Sequence, residues 1–176
     1  MSNKSIFFGK KEKFAIEIKQ NEKSEKFNLR LWFQNNGIGD FKKSGSLDYI
    51  IKEYYRLIES RSFLYEKKFG DMSDIEIYED VVLILFKELE PNVEENLFNR
   101  MNLYSFTFGD FQFNNFSFLL INLEKESNLK FIIYEMDGKS NPIIHSYKVD
   151  VEYFFGVYKD FIKSLAAAHL LPAPLP

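Results

Sequence analysis

The 176-residue chain contains no cysteine, which removes disulfides, thiolate zinc sites and cysteine nucleophiles and fits a reducing compartment. Histidine is almost as scarce: His145 and His169 are the only two, and their separation does not match the spacing of metal ligands. Long apolar runs are missing as well. The longest, "VVLILF", cannot span a bilayer, and the opening "MSNKSIFFGKKEKF" has no apolar segment of signal-peptide length. The expectation is a cytosolic protein without a membrane partner. There is no phosphate loop, no GxGxxG and no nucleophile elbow, and "GIGD" lacks the helix start that such loops need. No cofactor and no metal are therefore expected.

Aromatic residues are what the chain has in excess. With 20 Phe and 10 Tyr in a composition that is 45% hydrophobic, a packed aromatic core is favoured over disorder. The length suits one domain with a real core, expected over 1–165. The end of the chain, "LAAAHLLPAPLP", has three prolines and no periodicity, so 166–176 reads as a disordered or vector-derived tail.

The net charge of −3 hides an uneven distribution. From Met1 to Arg30 the bases Lys4, Lys10, Lys11, Lys13, Lys19, Lys23, Lys26 and Arg30 outweigh Glu12, Glu17, Glu22 and Glu25. Between Asp71 and Glu95 the order reverses, with Asp71, Asp74, Glu76, Glu79, Asp80, Glu88, Glu90, Glu94 and Glu95 against Lys87 alone. Such a field repels phosphate backbones and attracts basic proteins, so no nucleic-acid partner is expected. A solvated helix face would show the same charges, and both readings stand.

Alternating burial patterns define the strands. "KFAIEIKQ" and "KFNLRLWFQ" each place apolar residues at every second position and form an expected antiparallel hairpin. Asn36-Gly37 is the strongest two-residue turn signal, and a type I′ turn there would set Phe33 opposite Asp40 and Trp32 opposite Phe41. Ser46 is placed to cap a helix carrying Leu47, Ile50, Ile51, Tyr54, Leu57 and Ile58 to about Arg61. Ser73 and Glu76 form a capping box ahead of Ile75, Tyr78, Val82, Phe86 and Leu89, a run that Pro91 would stop. The stretch from Asn92 to Asn102 reads as a loop with one short turn.

The second half returns to strands. In "FTFGDFQFNNFSF" a turn at Gly109-Asp110 would pair Phe106 with Phe113. "FSFLLINL" and "LKFIIYEM" form a hairpin of nearly continuous apolar strands, the expected sheet centre. Asp137-Gly138 leads through Pro142 to the strand "IIHSYKV". Asp150 precedes a last amphipathic helix with Val151, Phe154, Phe155, Tyr158, Phe161, Ile162 and Leu165. The fold class is α+β: a mainly antiparallel sheet, two central helices and a final packing helix.

Trp32, the only tryptophan, falls on the polar side of its strand with Asn28, Arg30 and Gln34. It either lies under a helix or loop or serves as an exposed anchor of the kind that dominates protein interfaces, and the sequence leaves both open.

Catalytic arrangements are thin. A Ser–His–acid triad would have to use His145, which sits inside a strand and reads as structural. Asp40 and Asp110 are the pair a carboxylate enzyme would use, yet each adjoins a glycine and reads as a turn residue. The chain is expected not to be an enzyme.

"FFGKKEKFAIEIKQ" followed by "LRLWFQNNGIGDF" resembles the opening of the immunity protein 42 family of bacterial polymorphic-toxin systems. Phe8, Gly9, Phe14, Ala15, Ile16, Glu17, Leu31, Trp32, Ile38, Gly39 and Asp40 carry the resemblance. It implies a small cytosolic α+β domain, with a strand ending in Phe8-Gly9, that protects the producing cell by binding a cognate toxin, with no enzymatic residues. Partner-binding candidates are Trp32, Asp71, Asp74, Glu76, Tyr78, Glu79 and Asp80, with a basic nuclease as the toxin they would suit. An adaptor or chaperone-like protein of a secretion system is the alternative.

Overall fold

A computed structural model of the chain describes residues 5–20, 26–86, 91–106, 111–124, 127–136 and 143–167. It is α+β, with two antiparallel four-stranded sheets and four α-helices among the described residues. The contacts divide it into two compact units. The first draws on 1–55, 108–114 and 152–176, the second on 56–107 and 115–151.

In the first unit, strands β1 (Ile6–Lys10), β2 (Phe14–Gln20), β3 (Phe27–Phe33) and β4 (Asn36–Ile38) lie side by side in chain order. The expected β2–β3 hairpin is present, Ile16 facing Leu31 and Phe14 facing Phe33. The next turn lies two residues earlier than the sequence predicts. Gln34 and Asn35 both adopt positive φ, Phe33 pairs with Asn36, and Trp32 pairs with Gly37, not Phe41. The cause is tertiary: Lys13 O and Lys11 O accept the Gln34 and Asn35 N–H groups, tying this loop to the β1–β2 turn. The earlier turn also sets Ile38 opposite Leu31, and both are buried.

Helix α4 (Val151–Ala167) supplies the other wall of this unit's core from Phe154 onward. Its stripe packs ring on ring: Phe154 on Phe14 at 5.0 Å and Phe161 on Phe8 at 5.3 Å. The Tyr158 hydroxyl, buried, donates 2.7 Å to Ile50 O of helix α1 (Asp48–Ser60). Ser46 Oγ accepts the Asp48 N–H at the start of this helix, as the sequence predicts. Leu165 is buried and the helix runs on to Ala167, past the expected tail boundary at 166. Alanine is the strongest helix former, and a buried leucine anchors the turn. Residues 168–176 lie outside the described ones.

The second unit holds β5 (Ser105–Phe106), β6 (Phe116–Glu124), β7 (Asn128–Glu135) and β8 (Ile143–Asp150), again in chain order, so β6 and β7 are the sheet centre as expected. Helix α2 (Asp74–Val81) begins with the capping box: Ser73 Oγ accepts the Glu76 N–H, and the Glu76 carboxylate accepts the Ser73 N–H at 2.7 Å. The predicted apolar run is not one helix. It stops at Val81, Ile75 faces solvent, and Ile77, Tyr78 and Val81 form the buried face before a 3-10 turn at Leu83–Phe86. "VVLILF" is apolar at every position, so nothing in it marks one helical face. Leu89 lies outside the described residues.

Pro91, read as a stop, instead opens helix α3 (Pro91–Tyr104) over the stretch expected to be loop. Proline at the first helical position gives up an N–H that would be unpaired anyway, and Glu94 favours the N-terminal dipole. The Gly109-Asp110 and Asp137-Gly138 turns fall outside the described residues. Phe106 pairs with Phe118 and not Phe113, whose segment, Phe111–Phe113, is a 3-10 turn of the first unit.

Candidate functional site

Trp32 lies among Glu17, Lys11 and Arg30 on one face of the first unit's sheet. β2 and β3 are antiparallel, so Ala15 faces Trp32 and Glu17 faces Arg30, all four on the sheet side away from Leu29, Leu31 and Phe33. The indole Nε1 donates 2.8 Å to Glu17 Oε2, and Glu17 is only 7% exposed. Two cations cover the rings. Lys11 Nζ lies 3.9 Å from the Trp32 ring centre and 4.3 Å from that of Phe7. The Arg30 guanidinium lies 5.5 Å from Trp32 and 5.0 Å from Phe41. Trp32 is half-buried in consequence. It serves the fold through its nitrogen and keeps part of its ring at the surface.

The other residues that carry the family resemblance are accounted for by packing. Gly9 has φ +87°, and a Cβ there would collide with Phe14 O and sit 2.8 Å from Val157. Gly39 has φ +105°, and a Cβ would come within 2.6 Å of the Phe113 ring. That ring is held close because the Asp40 N–H donates 2.9 Å to Gln112 O, while Gln112 Nε2 donates 2.8 Å to Phe27 O. Asp40 is a turn residue, accepting the Lys42 N–H at 3.0 Å; Asp110 lies outside the described residues.

In the second unit the acidic candidates separate by role. Asp74 forms an ion pair with Lys130 of β7. Tyr78 is buried and stacks on Tyr134, ring centres 3.9 Å apart and planes within 2° of parallel; burial raises its hydroxyl pKa. Glu76 is committed to the capping box, which lowers its carboxyl pKa. Asp80 joins a network. Arg100 of α3 holds Glu66 through Nε (2.8 Å) and Nη2 (3.1 Å), reaches Asp80 Oδ2 at 2.6 Å, and donates 2.9 Å to Asp80 O. Lys68 pairs with Asp80 at 2.7 Å, and the Tyr104 hydroxyl donates 2.8 Å to Glu66.

Burial alone would raise the Glu66 and Asp80 carboxyls. The hydrogen bonds from Arg100, with Tyr104 on Glu66 and Lys68 on Asp80, outweigh it and hold both below their ordinary values. Burial and the bond to Glu66 push the Tyr104 hydroxyl up. Asp71 and Glu79 are exposed and form no ion pair among the described residues, and Ile75, 47% exposed, lies one helical turn before Glu79.

Sequence reasoning missed Arg100 and Glu66, because the network depends on a helix read as loop. It missed the Trp32–Glu17 bond too, although the hairpin alternation puts both residues on one face. His145 sits on β8 with Nε2 3.0 Å from Glu135 Oε2, a structural pair. No group of three or more His, Asp or Glu side chains that could hold a metal occurs among the described residues, and no described helix is long and apolar enough to cross a membrane.

Comparison with known proteins gives two findings. A family model described as immunity protein 42 matches residues 1–164. Among solved structures, CdiI from Burkholderia dolosa AUO158 superposes with a TM-score of 0.65 at 12% identity, covering 90% of this chain and 99% of that one, a likeness of fold. Curated proteins gave no match.

Proposed function

We propose that this chain, which belongs to the immunity protein 42 family, neutralises a cognate toxin in the cytoplasm of the producing cell by binding it in fixed stoichiometry. The observation that carries the reading is the family match, which extends through both compact units and not over the resembling N-terminal strands alone. Inhibition by binding requires a stiff scaffold and a complementary surface, and no chemistry of its own.

The surface we assign to the toxin in the second unit is the exposed side of α2, with Ile75, Glu76 and Glu79 on the helix and Asp71 just before it, all exposed. Asp74, Tyr78 and Asp80 stand behind it, holding the helix to Lys130, Tyr134 and Arg100. Carboxylates with an apolar centre suit a basic toxin such as a nuclease, whose approach they would accelerate. Co-expression with the C-terminal domain of the toxin encoded beside this chain tests the reading. Rescue of growth is expected; death of cells that contain the folded protein would discard it and return the adaptor alternative.

A further inference from the structure

Among the described strand residues, the Trp32 face of the first sheet carries accessible charge of one sign. Register and turn geometry gather Phe7, Lys11, Lys19, Arg30, Trp32 and Phe41 there, and Glu17, the one carboxylate on that face among the described strand residues, is buried and bonded to Trp32. Neither Lys11 nor Arg30 forms an ion pair among the described residues: rings lie beside both, and Glu17, opposite Arg30 in the register, accepts its hydrogen bond from Trp32. Phe7 remains 41% exposed beside them.

We propose that this face docks a carboxylate-bearing segment of the toxin, acidic side chains meeting Lys11 and Arg30 while an apolar side chain rests on Phe7. The proposal depends on the toxin-binding reading above and adds a second contact of opposite polarity to α2. Cations stacked on aromatic rings are preset for such a partner: the rings fix their positions, so little rotamer freedom is lost when a carboxylate arrives. Arg30 Nε is buried without a partner, so a two-point bond to a carboxylate would come from the two Nη groups at the end of the guanidinium.

Two features favour a protein carboxylate over single-stranded nucleic acid, which also uses cations and aromatic residues on sheets. The rings on which bases would stack are already covered by Lys11 and Arg30. A net charge of −3 opposes a long polyanion but not a local carboxylate pair.

Because Trp32 is the sole tryptophan, full-length protein made with 5-fluorotryptophan has one fluorine resonance, located on this face. Unlabelled toxin domain is added and complex formation followed in parallel by size-exclusion chromatography. The expected result is a stoichiometric complex with a displaced resonance, and a folded Lys11→Glu/Arg30→Glu variant that binds at least about 30-fold more weakly. A complex that leaves the resonance in place would overturn the docking face while sparing the toxin-binding reading. No complex at all would remove both. Displacement by single-stranded oligothymidine and not by toxin would reassign the face to nucleic acid. If the double variant does not fold, the fluorine measurement on the unsubstituted chain decides alone.

Discussion

The Trp32 indole and the Glu17 carboxylate are joined by a 2.8 Å hydrogen bond across β2 and β3, and the acid is almost wholly removed from water. A carboxylate in that position needs its donor, because an unpaired buried acceptor loses hydration without replacement. The tryptophan is thereby fixed as part of the sheet before any partner arrives.

Trp32→Phe should destabilise the protein by about 1–3 kcal/mol, since it strands Glu17. Adding Glu17→Gln should recover part of that loss, because the neutral amide tolerates burial better. Urea unfolding of the two single variants and the double variant reads the coupling directly; additive effects would show that the bond is incidental.

Gly39→Ala should cost about 1–3 kcal/mol, because φ +105° strains any residue with a Cβ and the Phe113 ring lies in its way. Phe113→Leu in the same background should return only the steric part. Thermal melts of both variants measure the split.

Arg100→Leu should destabilise by about 2 kcal/mol, leaving Glu66 partly buried without its two-point partner and Asp80 with Lys68 alone. The pH dependence follows from the lowered carboxyls. Their contribution is fully present above their unfolded values, near 4.5 and 3.8, and is lost as pH falls through the lower folded values. Acid titration followed by circular dichroism should show unfolding at higher pH in the variant, with a shallower dependence below about pH 4.

Reversing Asp71 and Glu79 to lysine should slow toxin association and flatten its salt dependence while leaving stability nearly unchanged, since both are exposed and unpaired. Stopped-flow association at several salt concentrations checks this. An unchanged rate and salt slope would exclude the α2 surface.

Local patterns were readable where one face of an element is buried and the other wet. The alternation in "KFAIEIKQ" and "KFNLRLWFQ" gave β2 and β3, and Ser73 with Glu76 gave the start of α2. The Gln34-Asn35 turn was not readable, because it is fixed by carbonyls of another loop and overrides the stronger Asn36-Gly37 signal. Helix α3 was missed for the opposite reason. It is largely exposed, with Phe98 and Val93 outside and Arg100 turned inward, so its apolar residues trace no clean stripe. The surface residues were legible as a group of acids, but which of them are committed to internal partners depends on Lys130, Arg100 and Tyr134, each from a distant part of the chain.

The most direct test of inhibition by binding is a titration of purified toxin activity against added protein, read at several times after mixing. The account predicts a linear fall to zero at a fixed small-integer molar ratio, independent of time. Complete loss at far smaller ratios, deepening with time, would show that the protein turns over and would contradict it.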